Sequence, residues 1–421
     1  MRWGDKIKAG SLQFVLFIGA IIAVLLMMFV LIAHTQNLFN KKTVLIVDLV
    51  QAANFGIDSS LNQQIPTDNN TELLYQLDKP ISIKTQKEYW GIFEEITSTA
   101  VHGKLNFTKT ALVGSNGYEL PALYLRDKQR PLILAGNTRI TGDAYLPEQG
   151  IRMGNISGNS YAHNQLLYGE KRKSKGELPR INSTILKQIK QLATNGYLDR
   201  EQEISLKKGL VFKNSFESPT VFVNERVIYL EDVLLSGNIV ISASDKIIVE
   251  PSSQLRDVVL IAPEILVKDG VKGNFQAIAT KNIYIGRNCN LSYPSALVVS
   301  NLFYNSNKNT ESDAKIVVSS FSKIKGVLVY LTNNDKQSNA PAIKIDKNAI
   351  IHGEIYCEKN LELKGSVFGN VTTDAFIALE NGSIYQNHIY NGVINRNSLT
   401  NEYGGLLNEF NPSKKVLKWL Y

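Results

Sequence analysis

Residues 348–371 read NAIIHGEIYCEKNLELKGSVFGNV, and in this stretch apolar residues alternate with polar ones while a glycine returns every few positions. Alternation buries every second side chain of a strand on one face. A glycine allows a tight bend or a close approach between backbones where the chain turns a corner. Strands that turn repeatedly and bury one face are typical of a β-solenoid, in which stacked coils share one core.

The glycine motif of this stretch, apolar–any–Gly–any–apolar, occurs at residues 140–144, 235–239, 271–275, 324–328, 351–355, 363–367 and 367–371. Asparagine tolerates the left-handed conformation of corners, and it stands near the expected corners at Asn288, Asn290, Asn348, Asn360 and Asn370. The irregular spacing excludes a strict hexapeptide helix. We predict an irregular β-solenoid over residues 131–400, with a β-sandwich containing glycine bulges as the alternative fold.

At the N-terminus, residues 14–33 form a run of 20 apolar residues. A helix of this length crosses a hydrocarbon core of about 30 Å. A cleaved secretory signal has a shorter apolar core followed by small residues, whereas HTQN follows this run. We therefore predict a basic leader over residues 1–10 and a transmembrane helix over residues 11–33. A cleaved signal and a buried core helix are the alternatives.

Charged residues around the apolar run predict its orientation. Arg2, Lys6 and Lys8 precede it with only Asp5 against them, and an excess of Lys and Arg marks the cytoplasmic side of a span. We predict a single-pass protein of the bacterial inner membrane whose C-terminal domain is periplasmic or extracellular.

Beyond the span, residues 34–64 keep a helical period. Apolar residues recur every three or four positions at Ile46, Val50, Ala53, Ile57 and Leu61, and polar residues fill the opposite side. This is the pattern of an amphipathic helix. Its apolar side needs a partner, either the exterior domain or neighbouring copies of the chain.

Residues 65–130 predict a small α+β neck between the helix and the solenoid. Thr85 and Glu88 match a capping box that begins a helix over residues 85–102. Two alternating runs around a Ser-Asn-Gly turn predict a hairpin over residues 104–126.

Two further elements complete the predicted organisation. A helix is expected as an insert in the solenoid near residues 183–195, and the tail at residues 401–421 ends in apolar residues that are expected to pack back on the domain. The predicted fold class is mainly β, with an N-terminal transmembrane and extended helix, a small α+β neck and an irregular β-solenoid head.

The chain offers few residue combinations that carry chemistry. Its histidines are scattered without metal-ligand spacing, and it has no phosphate-binding loop, nucleophile elbow or HExxH motif. Cys289 and Cys357 are too few for a disulfide-stapled fold and predict two buried thiols, with a disulfide as the alternative. Asp143 and Glu354 follow repeat glycines and are interpreted as outward polar positions. We predict no catalytic site, no metal and no cofactor.

The formal net charge is +8, but Lys and Arg are dispersed except at residues 171–175, KRKSK. The plain interpretation of this cluster is a solvated loop, and contact with an anionic polymer is the alternative. Nucleic acid is not the expected partner. Aromatic residues precede the cluster, so the candidate contact site for an envelope glycan or a protein partner comprises Tyr161, His163, Tyr168, Lys171, Arg172 and Lys173.

A basic leader that ends in Gly10, followed by Ser11 and an apolar run, resembles the N-terminus of a type IV prepilin. The segment QAANFGIDSSL at residues 51–61 is similar to the continuation of that helix in minor pilins and pseudopilins. The resemblance implies cleavage between Gly10 and Ser11 and packing of the helix among its copies. Val15 stands where the family usually has glutamate, a departure also found in minor members at a tip.

Stretches such as TRITGDAYL at residues 138–146 and the opening stretch look like the polymer-forming β-helix of bactofilins. This resemblance covers residues 130–160 and 230–395 and implies a fold rather than a function. Bactofilins are cytoskeletal, whereas this domain is expected outside the cytoplasm.

These observations predict a non-enzymatic, membrane-anchored structural or assembly protein of the cell envelope, and a minor pilin or pseudopilin is its sharpest form. Protein partners or self-association through the N-terminal helix are expected. The alternatives are a β-helix surface protein that binds or processes envelope polysaccharide, and an adhesin. Acids and aromatics that converge in one groove would favour the enzyme.

Overall fold

The computed structural model describes residues 9–62, 71–76, 80–117, 120–195, 202–302, 315–333, 338–408 and 413–420. These residues form three layers. A long helix packs on one face of an antiparallel sheet, and the other face of that sheet packs on a parallel β-solenoid.

The long helix, α1, spans Ala9–Asn62 without interruption and is about 80 Å long at 1.5 Å per residue. No proline or charged residue interrupts it between residues 11 and 40. It covers the predicted transmembrane span and continues into the predicted amphipathic helix, which ends at Asn62 within the described residues. Most of the basic leader, residues 1–8, lies outside the described residues.

The antiparallel sheet combines strands from both ends of the chain. Its strands are β1 Thr71–Gln76, β2 Pro80–Trp90, β3 Phe93–His102 and β4 Leu105–Asn116, with β29 Gly404–Gly405 and β30 Lys414–Leu420 from the C-terminal end. The order is β1-β2-β3-β4, and both C-terminal strands pair with β4. The expectation that the tail packs back on the domain is confirmed for the residues of β30.

The predicted helix over residues 85–102 is wrong, because β2 and β3 occupy this segment as a hairpin. The apolar residues that mimic a helical stripe lie on two strands, and the sheet has a partner for each face. The threonines of this segment are the residues that favour strands over a helix. Thr97 and Thr99 on β3 lie 3.0 Å from Thr110 and Thr108 on β4, respectively, between hydroxyl oxygens, and such cross-strand pairs stabilise a sheet.

The predicted hairpin over residues 104–126 is also wrong. β4 runs through the expected turn to Asn116, and the second alternating run, Leu123–Leu125, pairs in parallel with the solenoid. The two runs therefore belong to different sheets, which alternation alone does not distinguish.

The solenoid is built from short and long parallel strands. They are β5 Leu123–Leu125, β6 Leu132–Ala135, β7 Arg139–Thr141, β8 Ala144–Leu146, β9 Ile151–Met153, β12 Lys171–Lys173, β13 Gln202–Glu203, β14 Val211–Asn214, β15 Val221–Leu230, β16 Leu234–Gly237, β17 Ile239–Val249, β18 Gln254–Val267, β19 Lys272–Ile285, β20 Asn290–Asn301, β21 Lys315–Val318, β22 Lys323–Thr332, β23 Ile343–Ile345, β24 Ile350–Leu363, β25 Ser366–Glu380, β27 His388–Tyr390 and β28 Val393–Asn395.

Two small antiparallel hairpins project from the coils. One joins β10 Asn155–Ile156 to β11 Asn159–Ser160, and the other joins the end of β25 to β26 Ser383–Gln386. A short 3-10 helix at Arg396–Ser398 follows β28.

Each coil has three faces, which β18 illustrates. Residues 254–256 lie on face A, residues 258–262 on face B and residues 264–267 on face C, with register shifts at the corners between them. Face B stacks twelve segments in the described part of the chain. The face A segments are 211–214, 234–237, 254–256, 272–274, 290–291, 323–325, 350–352, 366–368, 393–395 and 139–141.

Alternating side chains from all three faces fill the interior of the solenoid. In β18 these are Leu255, Val258, Leu260, Ala262, Ile265 and Val267. Both cysteines are buried free thiols in the same core, so the preferred sequence interpretation is confirmed and the disulfide alternative is wrong.

The corner between faces A and B requires glycine on several successive coils. Gly353 and Gly369 have φ of +144° and +156°, and a Cβ on Gly369 would collide with the carbonyl oxygen of Gly353. Only glycine combines this conformation with this approach. Asn288 and Asn348 also adopt positive φ, as expected for corner asparagines.

The chain enters and leaves the solenoid at the same coil. Face A of that coil is residues 393–395, whereas residues 123–125 and 132–135 supply its faces B and C. From there the chain runs outward to β12, returns through helix α2 at Ser183–Asn195, and winds back from β13. The predicted helical insert is confirmed.

Face B is apolar on its outer side as well. The antiparallel sheet, α2 and the C-terminal strand cover it, and this cluster includes Trp90, Ile185 and Val298. Burial on both sides explains the unbroken apolar runs of these strands. Gln276 on face B accepts a hydrogen bond from the Ile92 amide (2.9 Å) and donates one to the Trp90 carbonyl (2.9 Å), which locks the β2–β3 turn onto the solenoid.

Candidate functional site

The most unusual surface of this protein is the N-terminal part of α1. Every residue from 10 to 44 is exposed, and we refer to these residues as the anchor segment. Phe29 and Val30 are 69% and 68% exposed. An apolar surface of this extent is stable in hydrocarbon or against other helices, but not in water.

The anchor segment contains the one candidate membrane span among the described residues. Its mean hydropathy reaches 3.2, and none of that window is buried against the rest of the protein. Length and composition are therefore compatible with a single-pass membrane protein, as predicted for residues 11–33.

The remainder of α1, residues 45–62, is the seated segment. Leu49, Ala52, Ala53 and Ile57 are buried against the antiparallel sheet. At Gly56 a Cβ would come within 2.7 Å of Ile83 Cγ2 and would collide with the Ser98 hydroxyl. Small residues therefore let the helix backbone approach the sheet closely.

The predicted apolar stripe matches the seat only in part. Ala53 and Ile57 are buried and Val50 and Leu61 are half-buried, but Ile46 is 45% exposed. The true line of contact also includes Gly56 and Ser60. Hydrophobicity does not mark such positions, because small residues can seat a backbone without contributing apolar area.

The predicted cleavage position lies at the start of α1. Gly10 and Ser11 are exposed helical residues, and no atom outside the helix lies within 4 Å of a Cβ built on Gly10. This location leaves the peptide bond accessible. The cleavage itself stays a prediction.

The aromatic residues of the predicted contact site lie together at the outermost coil of the solenoid. Tyr161 packs partly on the solenoid core and its ring centroid is 5.7 Å from that of His163. The Arg139 guanidinium lies 4.5 Å from the Tyr168 ring centroid. These contacts cover the end of the core, which otherwise would face water.

The basic members of the contact site, Lys171, Arg172 and Lys173, form the exposed edge strand β12 rather than a loop. Arg172 lies 3.3 Å from Asp143 and 3.1 Å from Glu170, and Lys173 lies 2.8 Å from Glu148. Charged side chains on an edge strand hinder pairing with another sheet. A role of these residues in partner or glycan contact stays a prediction.

A groove of about 840 Å³ is lined by two carboxylates from neighbouring coils, Glu358 and Asp374. Asp374 lies 3.0 Å from Arg126 and forms a second ion pair with Lys128. Burial raises the pKa of Glu358 on the neighbouring coil. A carboxyl with a raised pKa beside an ion-paired carboxylate is an arrangement that can support acid–base chemistry.

Glu354 was expected to face solvent, and this expectation is wrong. The C-terminal segment covers it, the Leu406 amide donates to one carboxylate oxygen at 3.4 Å, and burial raises its pKa to about 8. Gly405 lies directly over the carboxylate, where any side chain would collide with it. Nothing in the sequence predicts that the C-terminal segment covers Glu354, because the two are distant in the chain.

No group of three or more His, Cys, Asp and Glu side chains suited to a metal ion occurs among the residues that the structure describes. No protein-family model matches the chain, and searches of curated proteins and of solved structures also find no match. The comparisons therefore support neither the prepilin nor the bactofilin resemblance.

Proposed function

We propose that this chain is a membrane-anchored, non-enzymatic assembly protein of the bacterial cell envelope, oriented with its N-terminus in the cytoplasm. One observation carries the proposal. A single uninterrupted helix exposes a run of 20 apolar residues, 14–33, in its first part and is seated on the body by its last part. Such a helix couples a large exterior domain rigidly to whatever contains the anchor segment.

The proposal extends to helix partners outside the membrane. Beyond residue 33, Leu38 and Phe39 are still 55% and 69% exposed although the apolar run has ended. Exposed apolar residues at this position, beyond the apolar run of the helix, favour contact with neighbouring helices. Together with the prepilin-like Gly10-Ser11 junction, this supports a minor pilin or pseudopilin as the sharpest form of the proposal.

Mass spectrometry of the mature N-terminus tests that form. A chain that begins at Ser11, particularly one with a methylated amino group, is the expected result. A chain that still begins at Met1 or Arg2 contradicts the pilin-like form and leaves an anchored scaffold.

Cross-linking tests helix contacts between copies. Both native cysteines are buried, so Leu38→Cys introduces one exposed thiol on the helix. We expect oxidation in membranes to give disulfide-linked dimers of this variant. Lys281→Cys, at an exposed solenoid position, is the matched control and is expected to stay monomeric. Equal dimer yields from both variants would contradict a helix-specific contact.

The second candidate function is the processing of envelope polysaccharide at the groove that contains Glu358 and Asp374. The raised pKa of Glu358 favours it, whereas the two cations on Asp374 already satisfy that carboxylate. Release of reducing ends from purified envelope polysaccharide, abolished by Glu358→Gln, would establish it. No release by the unchanged protein would eliminate it.

A further inference from the structure

The outer side of face A carries charge of one sign. Every charged side chain on its segments is a cation, namely Arg139, Lys213, Arg256, Lys272, Lys323 and Lys325, and all six are exposed. No aspartate or glutamate occupies the face A segments in the described part of the chain. A row of like charges raises the local concentration of anions.

Face C and its corners differ, because several of their cations lie beside acids. Lys246 lies 3.9 Å from Glu264, and Lys364 lies 3.2 Å from Glu362. On face A, by contrast, Lys213 and Lys272 have no ion pair with any described residue. Lys213 and Lys272 are therefore available to an external partner, whereas Arg256 also lies 3.7 Å from Asp257 and Arg139 stacks on Tyr168.

The cations of face A follow the repeat of the coils. Lys213 and Arg256 stand in one column with Ser236 between them, and Lys272 and Lys323 stand in the adjacent column with Asn290 between them. Each pair is thus two coils apart, about 9.6 Å at the usual spacing of neighbouring strands. Charges separated by multiples of the coil spacing suit a ligand that repeats its own charge along one direction.

Part of face A is also the floor of a groove of about 1380 Å³. Lys213, Arg256 and Lys272 line the floor, and β30 contributes Lys418 and Trp419 to the lining. The single acid in the lining, Asp257, is engaged by Lys418 at 2.5 Å and by Arg256 at 3.7 Å.

The side chains between the cations are neutral and polar. The groove lining includes Gln254, Asn274, Ser236 and Ser292, which can both donate and accept hydrogen bonds. Sugar hydroxyl groups need partners of this kind.

The aromatic residues near the groove are already engaged. Phe216 packs edge-on against Trp90, and Lys109 lies 3.7 Å from the Trp419 ring centroid. The groove therefore lacks the free stacking platforms that single-stranded nucleic acid uses.

We propose that the groove on face A binds a linear anionic polysaccharide, with Lys213, Arg256 and Lys272, on three of four successive coils, contacting its carboxylates or sulfates. The ligand lies parallel to the axis of the solenoid. This proposal does not depend on membrane anchoring or on assembly through α1, so either can fail without the other.

The test uses the full-length protein in a neutral detergent and polygalacturonate, a linear polyuronate, as the probe. Binding is measured by biolayer interferometry at several salt concentrations, with uncharged dextran as the control polymer. We expect binding of polygalacturonate that weakens with salt, and no binding of dextran.

The variant Lys213→Glu/Arg256→Glu/Lys272→Glu is expected to weaken binding at least about tenfold, because attraction becomes repulsion at three sites. Its matched control, Lys187→Glu/Lys190→Glu/Lys281→Glu, changes net charge equally at exposed positions away from face A. This control is expected to bind within about twofold of the unchanged protein, because salt screens distant charges. The corresponding triple Gln variant repeats the test without charge reversal, and melting temperatures verify folding.

Three results would overturn the proposal. They are no binding of polygalacturonate by the unchanged protein, equal losses in the groove and control variants, and tighter binding of single-stranded DNA or phosphatidylglycerol vesicles than of polygalacturonate. Failure here would leave the mature N-terminus and the helix cross-links, which test the proposed function, unaffected.

Discussion

The anchor segment and the seated segment belong to one helix but solve opposite problems. Every residue of the anchor segment is exposed, and its run from residue 14 to residue 33 is apolar on all sides, whereas the seated segment is buried on one side only. In the proposed function the anchor segment depends on total hydrophobicity, since hydrocarbon or neighbouring helices would surround it. The seated segment depends on the shape of its contact surface, because the antiparallel sheet packs against one side of it.

This difference teaches that one regular backbone can serve two environments through the hydrophobicity and the size of its side chains. Large residues such as Phe29 fill the exposed surface of the anchor segment, while Ala52, Ala53 and Gly56 bring the seated segment close to the sheet. The following substitutions compare the two segments directly.

The largest expected effect is a cavity under the seated segment. Leu49→Ala removes a fully buried side chain and is expected to lower the free energy of unfolding by about 2–5 kcal/mol. Leu26→Ala, at a position that is 59% exposed, should change it by less than about 0.5 kcal/mol. Thermal and denaturant unfolding in detergent measure both. Equal destabilisation would show that the two segments are not independent.

A charged substitution tests where the membrane-compatible part of the anchor segment ends. Val24→Arg places a charge inside the apolar run and is expected to cost about 3 kcal/mol of membrane insertion. Val44→Arg lies outside that run at nearly the same exposure, 56% against 54%, and should insert normally. Alkaline extraction of membranes followed by immunoblotting measures the fraction retained. Loss of both variants would place the boundary of the span further along the helix.

Two glycines give a matched steric comparison. Gly56→Ala forces contact with Ile83 and Ser98 and is expected to destabilise the body by about 1–3 kcal/mol. Gly19→Ala meets no atom within 4 Å and should be neutral, or should stabilise the helix by up to about 1 kcal/mol. Melting temperatures of the two variants in detergent measure this difference in stability. A Gly56→Ala variant with an unchanged melting temperature would contradict a close approach of the helix to the sheet at this residue.

The last comparison concerns pH dependence, an effect that is spread over several pH units. Burial raises the pKa of Glu354 to about 8 from an ordinary value near 4.5. Between these values the folded state holds a proton that the unfolded state releases, so stability falls as pH rises, by up to about 1.4 kcal/mol per pH unit. Unfolding measured from pH 5 to pH 9 should therefore show a decline that Glu354→Gln reduces.

The anchor segment provides the control for this pH dependence. From residue 11 to residue 40 the only ionisable side chain is His34, so membrane retention should not change from pH 7 to pH 9. A Glu354→Gln variant with an unchanged slope would assign the pH dependence to other buried acids, such as Glu95, whose pKa is also raised to about 8 by burial.

Elements with a strong local pattern were predictable. The apolar run, the insert helix Ser183–Asn195 and the glycine-cornered strands follow from period and composition within a few residues of sequence. The neck was not predictable in this way. The spacing of Tyr89, Ile92 and Phe93 fits a helix as well as two strands, and only the partners on both faces of the sheet favour strands.

The candidate sites also differ in how far the sequence predicts them. Tyr161 and His163 are close in the sequence, and their rings are also close in space. The cations of face A come from coils far apart in the chain, and only their register aligns them. The cover over Glu354 likewise depends on a segment about fifty residues away.

The sequence by itself determined the lipid-compatible helix and the coil repeat, because both arise from hydrophobicity and backbone conformation at neighbouring positions. Tertiary structure alone decided where the helix is seated, which coil joins the two ends of the solenoid, and which charges face one another. These features depend on pairing between segments that are distant in the chain, and the free energy of such pairing is not encoded in any local pattern.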